Sequence, residues 1–441
     1  MKYFILLIFS IISLKAISLD DAISYALKHN NTLQQANLNV KNSKQQKEIK
    51  KAENFGHINV IASYEHYNLS RTLVPLAPLS ISSSPSGAYE IPTTKNLFNA
   101  GLTYNVTLFN GFAQQNLYKI SDLQYENSKI KNKLNHEELI YNVRILYISL
   151  LALEEQLEAQ SLYTLSEKRL LENINKQRKA GTKSKLDFLR AKNAVEASKA
   201  QETILEANIA ILKANLSATF GDKEFDKTEP ISIEVQNHKF PSVVINELQR
   251  YQASKLNIEV SKKKKELTKA SYYPVVDFSA YYGKNFAPND TTNILPSTGS
   301  TIIDKGDWHN ESVWQVGLHL KWNIFDFGVK SAKYEESNIL YLKSKLESEN
   351  VVITLQKNIV TAQNKIKLAQ AEFKSRKSQY SLLTETEKIE QIRYDNNALT
   401  LTDLLSTQAK KTIAKAQMIN AKYNYQKAIY YLDYLFEKGE K

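Results

Sequence analysis

The chain has 441 residues, enough for two or three ordinary domains, and no cysteine, which excludes disulfides, thiolate metal sites, a cysteine nucleophile and a lipidated N-terminal cysteine. Its formal net charge is +12, but the lysines are scattered along helical stretches among Glu and Gln, and the one basic block, Lys262 to Lys265, runs straight into Glu266; that is the pattern of a solvated helix face, not of a nucleic-acid site. Beyond the N-terminus no apolar run is long enough for a membrane helix, which leaves membrane strands open because their hydropathy signal is weak.

Residues 1–18, MKYFILLIFSIISLKAIS, read as a secretory leader: Lys2 supplies the charge, Tyr3 to Leu14 a short apolar core, and Ala16 and Ser18 the small residues of a cleavage site. Leu19 to Asn30 reads as a short helix with acidic residues at its start, and Thr32 to Phe55 as a polar helix. Strands are expected at 58–67 and 98–109, where apolar and polar residues alternate: Phe98, Ala100, Leu102, Tyr104, Val106 and Leu108 point one way, Asn99, Thr103, Asn105 and Thr107 the other. Between them Asn68 to Asn96 is rich in Pro and Ser and reads as a loop. Phe112 to Lys179 contains neither Pro nor Gly and, as a helix, would span roughly 100 Å. Ala180-Gly181-Thr182 turns the chain, and Lys183 to Phe220 returns, completing a hairpin over 112–220. Residues 221–241 form a connector with a β-like stretch at Ile231 to Val235.

The second half, 242–441, repeats the first. A helix leads to strands expected at 274–283 and 312–325, then to a hairpin over 328–436. The strand SVWQVGLHLKWNIFDFG places Trp314, Val316, Leu318, Leu320, Trp322 and Ile324 on one face and Gln315, Gly317, His319, Lys321 and Asn323 on the other. Trp314 and Trp322 would be lipid-facing girdle residues. A shift of 216 positions lands Asn110 on Asp326, Gly181 on Asn397, Asp187 on Asp403 and Phe220 on Phe436, the mark of tandem duplication. Four strands per chain cannot close a membrane barrel, and open edges in lipid cost several kcal/mol per unpaired group, so several copies must share one.

The ordered set of segments resembles the TolC family of outer-membrane efflux proteins over essentially the whole chain after the leader. LDDAISYALKHNNTL is similar to the family's opening helix, TLFNGF and NIFDFG to its strand-to-helix corners, and RKAGTKSKLDFLRAKNAV and RYDNNALTLTDLLSTQAKK to its two hairpin tips. The resemblance implies a mostly α fold with a transmembrane β-barrel: a trimeric α/β-barrel channel in the outer membrane, extending into the periplasm. It implies a homotrimer that docks a periplasmic adaptor (membrane fusion) protein and an inner-membrane RND or ABC transporter, in efflux or type I secretion, with no catalysis and no cofactor. It also implies an iris-like gate to which Asp187, Tyr394 and Asp403 contribute, with Tyr394 able to bond the first-tip Asp of a neighbouring hairpin. Three copies of Asp403 would form a ring favouring cations, although both Asp residues also suit a helix N-terminus. Gly181, Thr182, Asn397 and Ala398 are the expected adaptor contacts. The sequence departs from the family at Asn397, usually Gly, at Leu399, usually Arg, and at Ser406, usually acidic. The alternative is a pore-less envelope coiled-coil scaffold, against which the four alternating strands argue. The sequence carries no nucleophile motif, phosphate loop or metal-ligand spacing.

Overall fold

The computed structural model describes residues 16–73, 93–221, 225, 227–236, 240, 244–288, 290, 306 and 308–439. Residues 1–15 of the expected leader, and most of the two expected inter-strand loops, lie outside them. In chain order come α1 (Leu19–His29), α2 (Asn31–Ala52), β1 (His57–Thr72), β2 (Thr93–Phe109), α3 (Ala113–Lys179), α4 (Lys185–Thr219), α5 (Gln249–Lys269), β3 (Val275–Pro288), β4 (Trp308–Lys321), α6 (Val329–Asp395) and α7 (Leu401–Leu435). The chain divides into two compact units, one of Lys41–Glu126 and Leu256–Leu346, the other of the remaining three stretches.

The duplication is written into the backbone. The hairpin helices α3 and α6 have 67 residues each and α4 and α7 have 35 each. Four pairs of positive-φ residues stand at the same spacing of 216: Gly111 and Phe327, Phe112 and Gly328, Gly181 and Asn397, Gly221 and Glu437. Left-handed backbone is costly for residues other than glycine, so its recurrence at matched sites reflects inherited turns. The first two pairs make the strand-to-helix corners, where Asn110 Oδ1 accepts from the Gln114 amide and Asp326 Oδ2 from that of Lys330.

In the smaller unit the strands form one antiparallel sheet in the order β1-β2-β3-β4. The register aligns apolar rows, such as Ile58–Tyr104–Ala280–Val316 and Val60–Leu102–Tyr282–Trp314. Polar rows alternate with them, such as Asn59–Thr103–Tyr281–Gln315. β1 and β4 each have a neighbour on one side only. The strands outrun the expected alternation: β1 continues to Thr72, β2 starts at Thr93, β3 reaches Pro288 and β4 starts at Trp308. Alternation marks where one face is apolar, whereas the hydrogen-bond ladder continues into polar residues, as at Arg71–Thr94. At its other end β4 is shorter than the expected 312–325. It stops at Lys321 because β3 begins at the paired Val275, which leaves residues 322–325 no strand partner among the described residues.

Beside the sheet, Lys47 of α2 pairs with Asp122 of α3 at 2.7 Å, its ammonium 5.9 Å and 5.6 Å from the rings of Tyr118 and Tyr125. The second repeat rebuilds this clamp: Lys265 donates to Asn338 at 2.7 Å between Tyr334 and Tyr341. Each clamp ties a shorter helix to its long one by a cation shared between an acceptor and two aromatic faces.

In the larger unit the principal core joins Val143, Tyr147, Ile148 and Leu150 of α3 to Ala22 and Ala26 of α1, with Leu216 of α4 and Ile419 of α7. Two residues assigned to the leader belong to this fold. Ile17 is buried and bridges Thr228 of the connector, and Ser18 caps α1, accepting from the Asp21 amide at 3.1 Å. The Tyr147 hydroxyl lies 2.8 Å from the Ile17 carbonyl and 2.9 Å from that of Glu229. The connector's bridge falls at Thr228, not in the expected 231–235 stretch; there Ile231 and Ile233 pack, partly buried, against the core without a strand partner among the described residues. The second repeat closes on itself when the Glu437 carboxylate caps α5, accepting from the Gln249 and Arg250 amides.

Candidate functional site

Two features carry functional chemistry: the hairpin tips of the larger unit and the two-faced sheet of the smaller one. The tips end in the same motif. At the first, the Thr182 amide donates to the Gln177 carbonyl (2.9 Å) and the Gly181 amide to that of Arg178 (3.0 Å), with Gly181 at φ 78°. At the second, Ala398 donates to Arg393 (2.7 Å) and Asn397 to Tyr394 (3.0 Å), with Asn397 at φ 59°. These are Schellman C-caps, in which a left-handed residue lets the helix's last carbonyls find donors. Gly181, Thr182, Asn397 and Ala398 are therefore the turn itself, all four exposed. Asparagine serves at 397 because it tolerates this conformation.

Each returning helix opens with a hydroxyl cap. Ser184 Oγ accepts from the Asp187 amide at 3.0 Å and donates to Asp187 Oδ2 at 2.8 Å. Thr400 Oγ1 accepts from the Asp403 amide at 3.2 Å and donates to Asp403 Oδ2 at 2.6 Å. Both carboxylates thus sit at the positive end of a helix, with Asp403 exposed and Asp187 half-buried.

The side chains of the two tips share a small core: Ile174 and Ala191 from the first hairpin, Tyr394, Leu401 and Leu404 from the second. Leu399, where the resemblance expects Arg, packs partly buried against it, while Arg393 and Ser406 are exposed. Tyr394 is 5 % exposed and lies under the Lys183 ammonium, 4.4 Å from its ring centre, yet its hydroxyl oxygen is buried with no hydrogen-bond partner. It does not bond Asp187 of its own chain. Other buried polar atoms without partners lie within about four turns of the tips: those of Glu167, Gln177, Arg178, Glu390 and Gln408. Buried polar atoms ordinarily have partners, and sequence patterning gave no sign of this concentration.

In the sheet, the polar face is knit across strands. Asn99 donates to Ser63 at 2.7 Å, and Thr107 to Asp277 at 2.6 Å. His319 lies on this face, Nδ1 3.4 Å from Ser279 Oγ. The other face is exposed and apolar, with Trp314 71 % and Val316 60 % accessible. Aromatic residues gather at both ends of it. Tyr64, Phe98, Phe286 and Trp308 form one cluster, with Phe98 4.7 Å from Tyr64 and 5.4 Å from Trp308. Phe109, Phe112 and Tyr273 form the other. From Phe98 to Phe109 a strand tilted near 45° rises about 25 Å, the height of an outer-membrane apolar band. Trp314 sits inside this span, level with Leu102; Trp322 lies just past β4, its indole N–H donating to the Tyr272 carbonyl at 3.1 Å. The sequence reading missed Phe286 and Trp308, whose neighbours do not alternate. Among the described residues no helix is long and apolar enough to cross a membrane, and no three His, Asp or Glu are placed to hold a metal ion.

Known proteins share this architecture. A family model described as outer membrane efflux protein matches residues 22–222 and 246–435, one match in each repeat. The Campylobacter jejuni CmeC outer membrane channel superposes with a TM-score of 0.77 at 16% identity, covering 96% of this chain and 86% of that one. The open-state MtrE outer membrane channel of Neisseria gonorrhoeae gives 0.75 at 16% identity, covering 96% and 89%. Nodulation protein T of Rhizobium leguminosarum bv. trifolii is 23% identical over 255 residues, 55% of this chain and 50% of the relative, so that match spans about half the relative's length. The chain belongs to the outer membrane efflux protein family, that is, to the TolC-like channels of the outer membrane.

Proposed function

We propose that this protein is the exit duct of a tripartite efflux or type I secretion system, a homotrimer whose helices extend into the periplasm. The observation that carries the reading is the sheet: four strands, one apolar and one polar face, and two edge strands without outer neighbours. In lipid such edges must be paired, and three copies would supply twelve strands, an even number within the range of closed barrels. An inner-membrane RND or ABC transporter would do the energetic work, and a periplasmic adaptor would meet the exposed turns Gly181-Thr182 and Asn397-Ala398. Solved relatives described as outer membrane channels support the duct over a pore-less scaffold.

The tips would form the gate. In a trimer three Asp403 carboxylates, exposed and held only by the Thr400 hydroxyl and their own helix ends, would ring the constriction and favour cations. The Tyr394 hydroxyl, buried without a partner in its own chain, would take one from a neighbouring hairpin. In planar bilayers the purified protein should conduct, and a trivalent cation added on the tip side should block it. Asp403→Ala should weaken the block by tenfold or more. No conductance from the wild type would overturn the duct; an unchanged block in Asp403→Ala would overturn the gate.

A further inference from the structure

Glu167 of α3 is 1 % exposed, and neither carboxylate oxygen has a hydrogen-bond partner. It lies about 20 Å along the helix from the Gly181 turn. Its surroundings follow from the pairings above it. Gln156 donates to Asn420 at 2.9 Å and Lys422 to Glu155 at 3.2 Å, which fixes α7 antiparallel to α3. Continued toward the tip, that register brings Gln408 and Lys411 level with Glu167. Gln408 is buried and its own carbonyl oxygen lacks a partner. Lys411 is committed to an ion pair with Glu387 of α6.

On the α4 side, the Thr164 and Ser198 hydroxyls lie 2.6 Å apart, which places buried Val195 opposite Glu167. The charged residues of α4 at this height, Lys192, Glu196 and Lys199, are exposed, and Glu196 pairs with Lys199 at 2.9 Å. No cation therefore answers Glu167 from α4; on α7 Lys411 is already taken and Lys410 is exposed, and on α6 Lys388 is exposed and paired with Glu385 at 2.8 Å. Tyr163, one turn earlier on α3, is the remaining neighbour, in a contact short of normal hydrogen-bond geometry. The Glu167 carboxyl is pushed up to about 7, chiefly by burial, with Tyr163 drawing it down somewhat and the charge on Glu387 adding to the rise.

We propose that Glu167 is a proton-linked brace between the two hairpins: uncharged, it lets α3 pack against α7 and α6, and ionised, it is repelled by Glu387 and loosens that packing. The sign follows from linkage. The folded pKa lies above the ordinary value of 4.5, so the protonated carboxyl's contribution is whole below that pH, declines as pH rises toward about 7, and is gone above it. The hairpins hold together more tightly in acid. This inference does not rest on the duct reading, since it concerns packing inside one chain.

The test is backbone hydrogen exchange on the full-length protein in detergent, following residues 381–411 at pH 5.5 and pH 8.5 with intrinsic rates corrected. Wild type should lose protection by roughly tenfold at the higher pH. Glu167→Gln, which keeps the shape and cannot ionise, should hold the acid-level protection at both. Should Glu167→Gln fail to fold, Glu387→Gln removes the repelling charge and should shrink the pH response. A wild type without pH response, or variants retaining the full tenfold change, would overturn the brace.

Discussion

Replacing Gly56 with alanine is expected to cut the assembled outer-membrane protein by more than tenfold. Gly56 joins the end of the α2 stretch to β1, with φ 70° and ψ −161°, a region that essentially only glycine occupies. A β-carbon there would meet the Asn105 carbonyl oxygen at 2.1 Å and Val106 Cβ at 2.7 Å. Both belong to β2, and His57 pairs with Asn105, so relief would have to come from the first rung of the β1–β2 ladder. Backbone strain and overpacking together cost about 2 to 5 kcal/mol. Gly181→Ala is the control. It also has positive φ, but nothing lies within 4 Å of its would-be β-carbon, so it should cost about 1 kcal/mol and leave the amount near wild type. Quantitative blotting of outer-membrane fractions compares the two; equal loss in both would contradict the account of the corner.

The second large effect is expected on the sheet. Val316→Arg puts a charge in the row Ile58–Tyr104–Ala280–Val316, between the two aromatic clusters. Near the bilayer midplane that costs about 2 to 4 kcal/mol per chain, repeated in every copy that shares the barrel. Gln315→Arg, one residue earlier, falls on the polar row with Thr103 and Tyr281 and should assemble while changing the conductance. Thermal unfolding in detergent-lipid mixtures separates them. If both lose stability alike, the assignment of faces is wrong.

Much of this architecture is legible in the residues because its determinants are local and doubled. The Gly- and Pro-free stretches give α3 and α6, and Asp187 and Asp403 mark the first turns of the returning helices, whose Ser184 and Thr400 caps only the structure reveals. Alternation identifies the two sheet faces. What the sequence hides depends on partners in space. The end of β4 at Lys321 is set by where β3 begins, the shared core of the tips by side chains far apart in the chain, and the aromatic cluster at Phe286 and Trp308 by register. Glu167 escapes notice because a glutamate in a polar helix reads as surface; only the packing of α4 and α7 around α3 shows it buried.

If several copies, three on the proposed reading, close one barrel from sheets that are open in the single chain, they should be captured together. The direct measurement is to fractionate cell envelopes and cross-link the outer-membrane fraction before electrophoresis. This protein is expected in that fraction, with a ladder ending at three subunits. A soluble periplasmic protein, or an outer-membrane monomer or dimer, would contradict it.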